Sequence, residues 1–496
     1  MEHLIIAPIL IPAFAGMLLL LEVRERQRLR RLTGLLATLA LIPVALGLWQ
    51  QAASGDIGVY QLGDWRAPFG IVLVLDRLSA LMVLLTAVLA LPALIYGSRG
   101  DDRRGANFHA LFQLQLMGIN GAFLTGDLFN LFVFFEVLLI ASYGLALHGR
   151  GPARVKGGIH YVVLNLIGSA LFLVALGLAY GTTGTLNMAD FAVKVSELEG
   201  NSLDLARLSG LLMWVVFGLK AALFPLYFWL PATYASATAP VAALFAIMTK
   251  VGIYAIARVY GLAFSGGALA GLGRDPLWIL ALITLGLAAV GVLGARRLGE
   301  MVAYLLVMSV GTLVAGLAWS SPEAFGAMLY YLIHSTLVCG GLFLLADLVS
   351  RGRGELADRL EAGPSPVGRG VLGALFFAGA IAVVGLPPLS GFIGKVALMQ
   401  AVPAPVYWLL LLGGGLIALI GLSRAGSTLF WRATGDGEER SLDGPRLAAT
   451  VALLATTPAL AIWGEPVLEA CLAVAGQWAQ PGLYIDAVLG AGESAL

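Results

Sequence analysis

The sequence predicts an all-α integral membrane protein with about fourteen transmembrane helices, two inverted five-helix repeats, and broken seventh and twelfth helices. Three observations carry that expectation. Of the 496 residues, 59% are hydrophobic and only 12% charged, and a mean hydropathy of +0.90 lies far outside the range of water-soluble domains. Uncharged apolar runs of about twenty residues recur from end to end, each long enough to cross roughly 30 Å of hydrocarbon. They must be helical, because lipid offers no partner to an unpaired backbone group. Finally, the basic residues concentrate in alternate connections, the pattern that orients a polytopic chain.

The N-terminus passes from Met1-Glu2-His3 straight into apolar sequence without the basic stretch of a cleavable signal peptide, so the first span is placed near Leu4. The others are expected to begin near Leu32, Ile71, Phe108, Leu128, Ile159, Leu208, Val241, Leu277, Met301, Phe325, Val371, Val406 and Ala448. All lie in one membrane domain, 1–496. Within it, 1–106 holds helices one to three, 107–270 the first repeat, 271–432 the second, and 433–496 the fourteenth helix and a tail. Short loops connect them, and the polar stretches Asn187 to Arg207 and Ala433 to Arg446 read as ordinary exposed connections.

Odd-numbered loops collect twenty of the thirty basic residues, from Arg24, Arg26 and Arg28 at one end to Arg432, Arg440 and Arg446 at the other. Even-numbered loops hold only Arg66, Lys194, Arg207 and Arg274. The odd loops are therefore expected on the cytoplasmic side and both termini on the outer face of a bacterial inner membrane.

Two regions depart from plain spanning helices, and each sets a lysine beside helix breakers. Gly218-Leu219-Lys220 runs into Pro225 and Pro231; Gly385-Leu386-Pro387-Pro388 precedes Gly394-Lys395. The apolar stretch from Val371 to Val402 would extend roughly 48 Å as one straight helix, too long for a bilayer. Proline removes a backbone donor and clashes with the preceding turn. The freed backbone groups need water or protein partners, which is how broken helices come to line ion paths. The breaks fall five spans apart, and a repeat with an odd number of spans enters its second copy from the opposite face.

Five ionisable residues sit deep in apolar flanks: Glu136, Lys220, Lys250, His334 and Lys395. Each charge at mid-bilayer costs about 2.5–3.5 kcal/mol on the insertion scale, an outlay that helix packing alone does not require. They are the candidate proton-translocating residues. The blander alternatives are a register-fixing ion pair for Glu136 with a lysine, snorkelling for the lysines, and a hydrogen-bonded core histidine for His334. Two hydroxyls, Ser335 and Thr336, adjoin His334, whose imidazole titrates in the range proton transfer needs. Asp127, Arg258, Asp347 and Arg424 lie near span ends and are expected to anchor at the interface. No role is assigned to His3, His109, His148 or His160.

A net charge of +1 and the lack of a basic stripe interleaved with aromatics argue against a nucleic-acid partner. Cys339 and Cys471 stand far apart without a CxxC or Cys/His cluster, so no metal site and no resident cofactor are expected. No loop carries a phosphate-binding glycine motif or a nucleophile with its base, which sets a free-standing enzyme aside.

The segments Thr125 to Glu136, Lys220 to Pro231, Ala239 to Gly252 and Gly385 to Lys395 together resemble the antiporter-like superfamily. That superfamily covers Mrp-type cation/proton antiporters, complex I pumping subunits and membrane-bound hydrogenases, and the resemblance spans nearly the whole chain. Gly58 to Trp65 and Ile71 to Leu81 are most similar to the D-type subunits of the Mrp (Pha) antiporters. Position 395 is Lys and not the Glu of one complex I subunit, and the sequence beyond span fourteen lacks the lateral helix or extra spans of other members. The resemblance implies that Glu136 and Lys220 are a paired acid and base, Lys250 a bridging lysine, and His334 with Lys395 a second half-channel. It further implies partners in other subunits of a multisubunit complex, protons with Na+ or K+ as the transported ions, and no cofactor. The alternatives are a pumping subunit of a redox complex and a non-transporting membrane scaffold.

Overall fold

The computed structural model describes residues 2–22, 26–149, 151–433 and 441–490; Arg24, Arg150 and Arg440 of the basic loop residues lie outside them. Helices α1 (Ala7–Leu21) and α2 (Gln27–Ala53) open the chain. A short antiparallel hairpin follows, β1 (Gly58–Gln61) with β2 (Val72–Leu75), in the register Gly58 opposite Leu75 and Gln61 opposite Val72. Next come α3 (Arg77–Gly97), α4 (Phe108–Leu124), α5 (Leu128–Ala146), α6 (Pro152–Thr183), the short α7 (Met188–Ser196), α8 (Gly200–Ala221), α9 (Trp229–Ser236), α10 (Ala239–Phe245) and α11 (Met248–Ala263). The second half comprises α12 (Arg274–Gly294), α13 (Leu298–Trp319), α14 (Pro322–Arg351), α15 (Arg369–Val384), α16 (Ser390–Ala401) and α17 (Pro405–Gly426). Finally, α18 (Gly444–Leu454) and α19 (Thr456–Ile462) lead to α20 (Gly464–Trp478) and α21 (Pro481–Gly490).

Among the described residues, eleven helical segments are long and apolar enough to cross a membrane. Fourteen spans are expected from the sequence; α1 and α15 are apolar helices shorter than these eleven. Several helix starts are set by side-chain caps that satisfy orphan donors of the first turn. Asp127 accepts from the Asn130 amide (2.8 Å), Ser321 from the Ala324 amide (3.1 Å), and Asp76 from the Ser79 amide (2.8 Å) in a reciprocal capping box.

Two expectations need correction. The apolar run at Ile71 is not the start of span three, because Val72–Leu75 pairs as a strand and α3 begins only at Arg77. The stretch after Asn187 is not simply an exposed loop: it forms α7, capped by Asn187 and burying Met188, Phe191 and Val195. Beyond α19, α20 packs along α14 and α3.

The halves repeat two local constructions. At the start of α5, the Leu128 amide donates to Leu186 O (2.8 Å) and Met188 to Gly126 O (2.8 Å); at the start of α13, Leu298 donates to Asp358 O (2.9 Å) and Leu360 to Arg296 O (2.9 Å). The first bridge joins two even-numbered loops and the second two odd-numbered ones, so they lie on opposite faces, as an inverted pair requires. The helix breaks also match. Ala222 (φ 63°) and Gly385 (φ 85°) are left-handed caps. Leu223 N to Gly218 O (2.9 Å) and Leu386 N to Ile381 O (3.0 Å) are the long closing bonds of Schellman-type ends. The helices thus stop before Pro225 and Pro387, and the prolines keep the chain from resuming.

Helices α13 and α14 form the buried centre, whereas α2, α6, α12 and α17 turn apolar residues such as Leu166, Val174, Val290 and Leu409 outward. On the odd-loop face, charges are tied in a network. Asp102 accepts from Arg31 (2.6 and 2.9 Å) and Gln27 (2.5 Å) and contacts His109 (3.1 Å). Asp101 pairs with Arg104 (3.2 Å), Arg446 (3.1 Å) and Arg351 (3.4 Å). Burial alone would push the Asp102 carboxyl up, but the Arg31 hydrogen bonds, with those of His109 and Gln27, more than offset it and hold it well below the usual carboxylate range. Its stabilisation is therefore complete above the unfolded value near ~3.9 and is lost as pH falls through the lower folded value. Asp102→Asn should destabilise the purified protein by about 3 kcal/mol. Thermal unfolding from pH 5 to 8 should show a constant deficit.

Candidate functional site

Glu136 lies on α5 with its carboxylate hydrogen-bonded by the Ser169 hydroxyl of α6. One turn earlier on the same face of α6, Asn165 Oδ1 accepts from Lys220 Nζ at 3.1 Å. Glu136 and Lys220 are thus joined through α6 and make no direct ion pair. Lys220 is the penultimate residue of α8, placed at the break, with Nζ 5.9 Å from the Phe135 ring centroid. A cavity of about 20 Å³ lies beside it, lined by Leu138, Tyr161, Asn165 and Trp229.

Lys250 is fully buried in the first turn of α11 and donates to Ser309 Oγ of α13 at 3.2 Å. The segment is broken just before it, between α10 and α11, with no proline to announce the discontinuity. Gly252 seats α11 against the neighbouring break, since a Cβ there would lie 2.8 Å from the Lys220 carbonyl carbon. Because the obstacle is main chain, Gly252→Ala should destabilise by about 1–3 kcal/mol, measurable as a lowered thermal midpoint.

His334, on α14, uses Nδ1 to contact Ser390 Oγ (2.8 Å) at the start of α16, and its ring also faces the Ala382 main chain of α15. Gly391 is required beside it: a Cβ would sit 2.9 Å from Nε2. Lys395 reaches back across the twelfth-span break and donates to Val384 O at 2.6 Å. Val384 is the last residue of α15, so the ammonium satisfies a carbonyl that the break leaves free. No direct hydrogen bond joins Lys250 to His334 among the described residues; Tyr331, 5.7 Å from the His334 ring centroid, lies on the same helix.

The five candidate residues therefore fall into linked groups, with neutral acceptors holding the three ammonium groups. Trp229 Nε1, Thr249 Oγ1 and Tyr143 OH are buried without a protein partner, and such atoms are ordinarily satisfied by water. On the odd-loop face, a cavity of about 390 Å³ lined by Arg104, Arg297, Arg351, Asp347 and Asp358 reaches inward to Phe343. Phe343 is one helical turn from Cys339 on α14.

Asn165, Ser169, Ser309 and Ser390 do not stand out in the sequence, because they are neutral and short stretches of polar side chain are common. An Asn and a Ser four apart in an otherwise apolar helix are the available signal. Of the expected interface anchors, Asp127 caps α5, Asp347 pairs with Arg351 (2.5 Å) and Tyr96 (2.5 Å), and Arg424 donates to Leu293 O (2.8 Å). Arg258 corrects the expectation: it is 4% exposed and bound to Asp76 in the interior.

Residues 125–421 match the family model described as NADH:quinone oxidoreductase/Mrp antiporter, TM. The chain is 42% identical to a probable K(+)/H(+) antiporter D subunit of Rhizobium meliloti (strain 1021), across 99% of this chain and 98% of the relative. It is 37% identical to the Na(+)/H(+) antiporter D subunit of Alkalihalophilus pseudofirmus, across 99% and 100%. A chain of the Mrp complex from Dietzia sp. DQ12-45-1b superposes with a TM-score of 0.89 at 25% identity, covering 99% of both. A chain of respiratory complex I from Thermus thermophilus shares the fold at 0.80 and 23% identity, covering 96% of this chain and 99% of that one.

Proposed function

The chain belongs to the NADH:quinone oxidoreductase/Mrp antiporter membrane family, and from that membership we propose that it is the proton-translocating D-type subunit of a multisubunit Na+(K+)/H+ antiporter in a bacterial plasma membrane. Its partners are the other subunits of that complex, and the proton-motive force drives the exchange. The observation that carries the reading is the state of the buried lysines. Lys220, Lys250 and Lys395 are each held by a neutral acceptor, Asn165, Ser309 or Val384 O, and none by a carboxylate. A scaffold would pair or dispense with such charges; a relay needs groups that can give up a proton and take one back.

In this reading 107–270 and 271–432 form two half-channels, with 1–106 and 433–496 flanking them, the odd loops cytoplasmic and both termini outside. A proton reaching Lys220 passes through water to Lys250, then to His334 and Lys395. Glu136 sets the balance: at an effective dielectric near 20, approach to about 4 Å would attract Lys220 by roughly 4 kcal/mol. The separation through Asn165 and Ser169 is the state in which that hold is relaxed. Each charge crossing 100 mV contributes about 2.3 kcal/mol, ample to drive the cycle. The test is the purified complex in proteoliposomes: an imposed pH gradient should drive Na+ or K+ uptake. Absence of uptake of both ions in complexes that remain assembled would remove the reading.

A further inference from the structure

Lys250, Tyr254 and Arg258 recur every four residues on one face of α11, a polar stripe pointing from the membrane centre toward the even-loop face. Arg258 stands about 12 Å from Lys250 along the helix axis. On its face the stripe looks like an outward proton route. Its hydrogen bonding argues the reverse. Tyr254 OH donates to the main-chain Phe123 O (2.5 Å) and accepts from Arg258 Nε (3.2 Å) and Nη2 (3.1 Å). Arg258 spends its remaining reach on Asp76, with Nη1 to Oδ2 at 2.5 Å and Nη2 to Oδ1 at 2.8 Å.

A relay requires each member both to accept and to donate a proton. A guanidinium has no acceptor and does not deprotonate, so no chain of hydrogen bonds passes through it. The Tyr254 proton is committed to a peptide carbonyl. The stack is also tightly packed. Tyr254 and Tyr484 lie against the guanidinium with centroids at 5.2 and 5.1 Å, and Phe123 packs edge-on to Tyr254 at 4.9 Å. Phe123, Tyr254, Arg258, Asp76 and Tyr484 are all 5% exposed or less. Asp76 is itself fixed by its capping box with Ser79 at the start of α3.

We propose that Asp76, Arg258, Tyr254 and Tyr484 form a proton-tight seal between Lys250 and the even-loop face. The seal stops protons from short-circuiting the first half-channel, so that a proton arriving at Lys250 leaves only by way of the second. The inference rests on the antiporter reading above, and both can be scored in the same vesicles.

The experiment measures passive proton conductance, without Na+ or K+, and cation-driven antiport in proteoliposomes of the whole complex. Asp76→Ser/Arg258→Ser replaces the ion pair with small groups that admit water and can relay. It should raise passive conductance roughly ten-fold and weaken coupled antiport. Asp76→Leu/Arg258→Leu keeps the position dry and should stay as tight as the wild type, separating sealing from the charge pair as such. Should the serine variant fail to assemble, Tyr484→Ala opens one side of the stack and should leak in the same direction. Wild-type tightness in an assembled serine variant, or in Tyr484→Ala where the serine variant does not assemble, overturns the seal. Wild-type complexes without any antiport would instead overturn the functional reading on which it rests.

Discussion

Lys220→Ala is expected to reduce cation-coupled proton flux by at least about a hundred-fold while the complex still assembles, the scale at which removing a proton-transfer group acts. The physical reason lies in what surrounds the ammonium. It is held by Asn165 Oδ1 (3.1 Å) and faces the Phe135 ring, so truncation removes a buried charge and strands none. A structural ion pair would behave oppositely, because loss of one partner leaves the other charge buried and costs about 3–5 kcal/mol. Glu136→Ala should act on flux in the same way, releasing only the Ser169 hydroxyl. Flux in everted vesicles, normalised to assembled complex, is the measurement. Normal flux at normal assembly in either variant would take that residue out of the mechanism.

Lys395→Gln should be nearly as severe, and it separates two roles that the structure superimposes. Lys395 donates to Val384 O across the break between α15 and α16. If that bond were its whole task, a glutamine amide could also donate and transport would survive. If the ammonium carries the proton onward from His334, glutamine cannot substitute, and coupled flux should fall at least about a hundred-fold with the thermal midpoint little changed. A glutamine variant with wild-type flux would reduce Lys395 to a helix cap.

Much of the architecture is legible in the sequence because lipid leaves helices as the only solution for long apolar runs. The matching loop bridges, Leu128 with Leu186 and Leu298 with Asp358, lie on opposite faces as the two breaks five spans apart suggest. Local competition and distant pairing are not legible in the same way. Val72–Leu75 is as apolar as a span but is claimed by β1. The breaks at Ala222 and Gly385 are set by left-handed caps, and of the two only Gly385 is a glycine. The discontinuity before Lys250 has no sequence mark at all. Arg258 reads as an anchor in the sequence because its partner, Asp76, is 182 residues away; no single-sequence pattern joins them. The five ionisable candidates stand out by the cost of burying a charge. Asn165, Ser169 and Ser309, which hold them in place, are neutral and carry no such mark.

The central claim is that this chain moves protons as one part of a multisubunit cation/proton antiporter. It is tested most directly by cation-induced proton flux in everted vesicles of an antiporter-deficient bacterial strain, with the chain expressed alone and with its partner subunits. The account predicts Na+- or K+-dependent flux only when the partners are present, and its loss in Lys220→Ala. Assembled complexes that show no cation-dependent flux, but pump protons when supplied with a reductant, would contradict it and move the chain to a redox-driven complex.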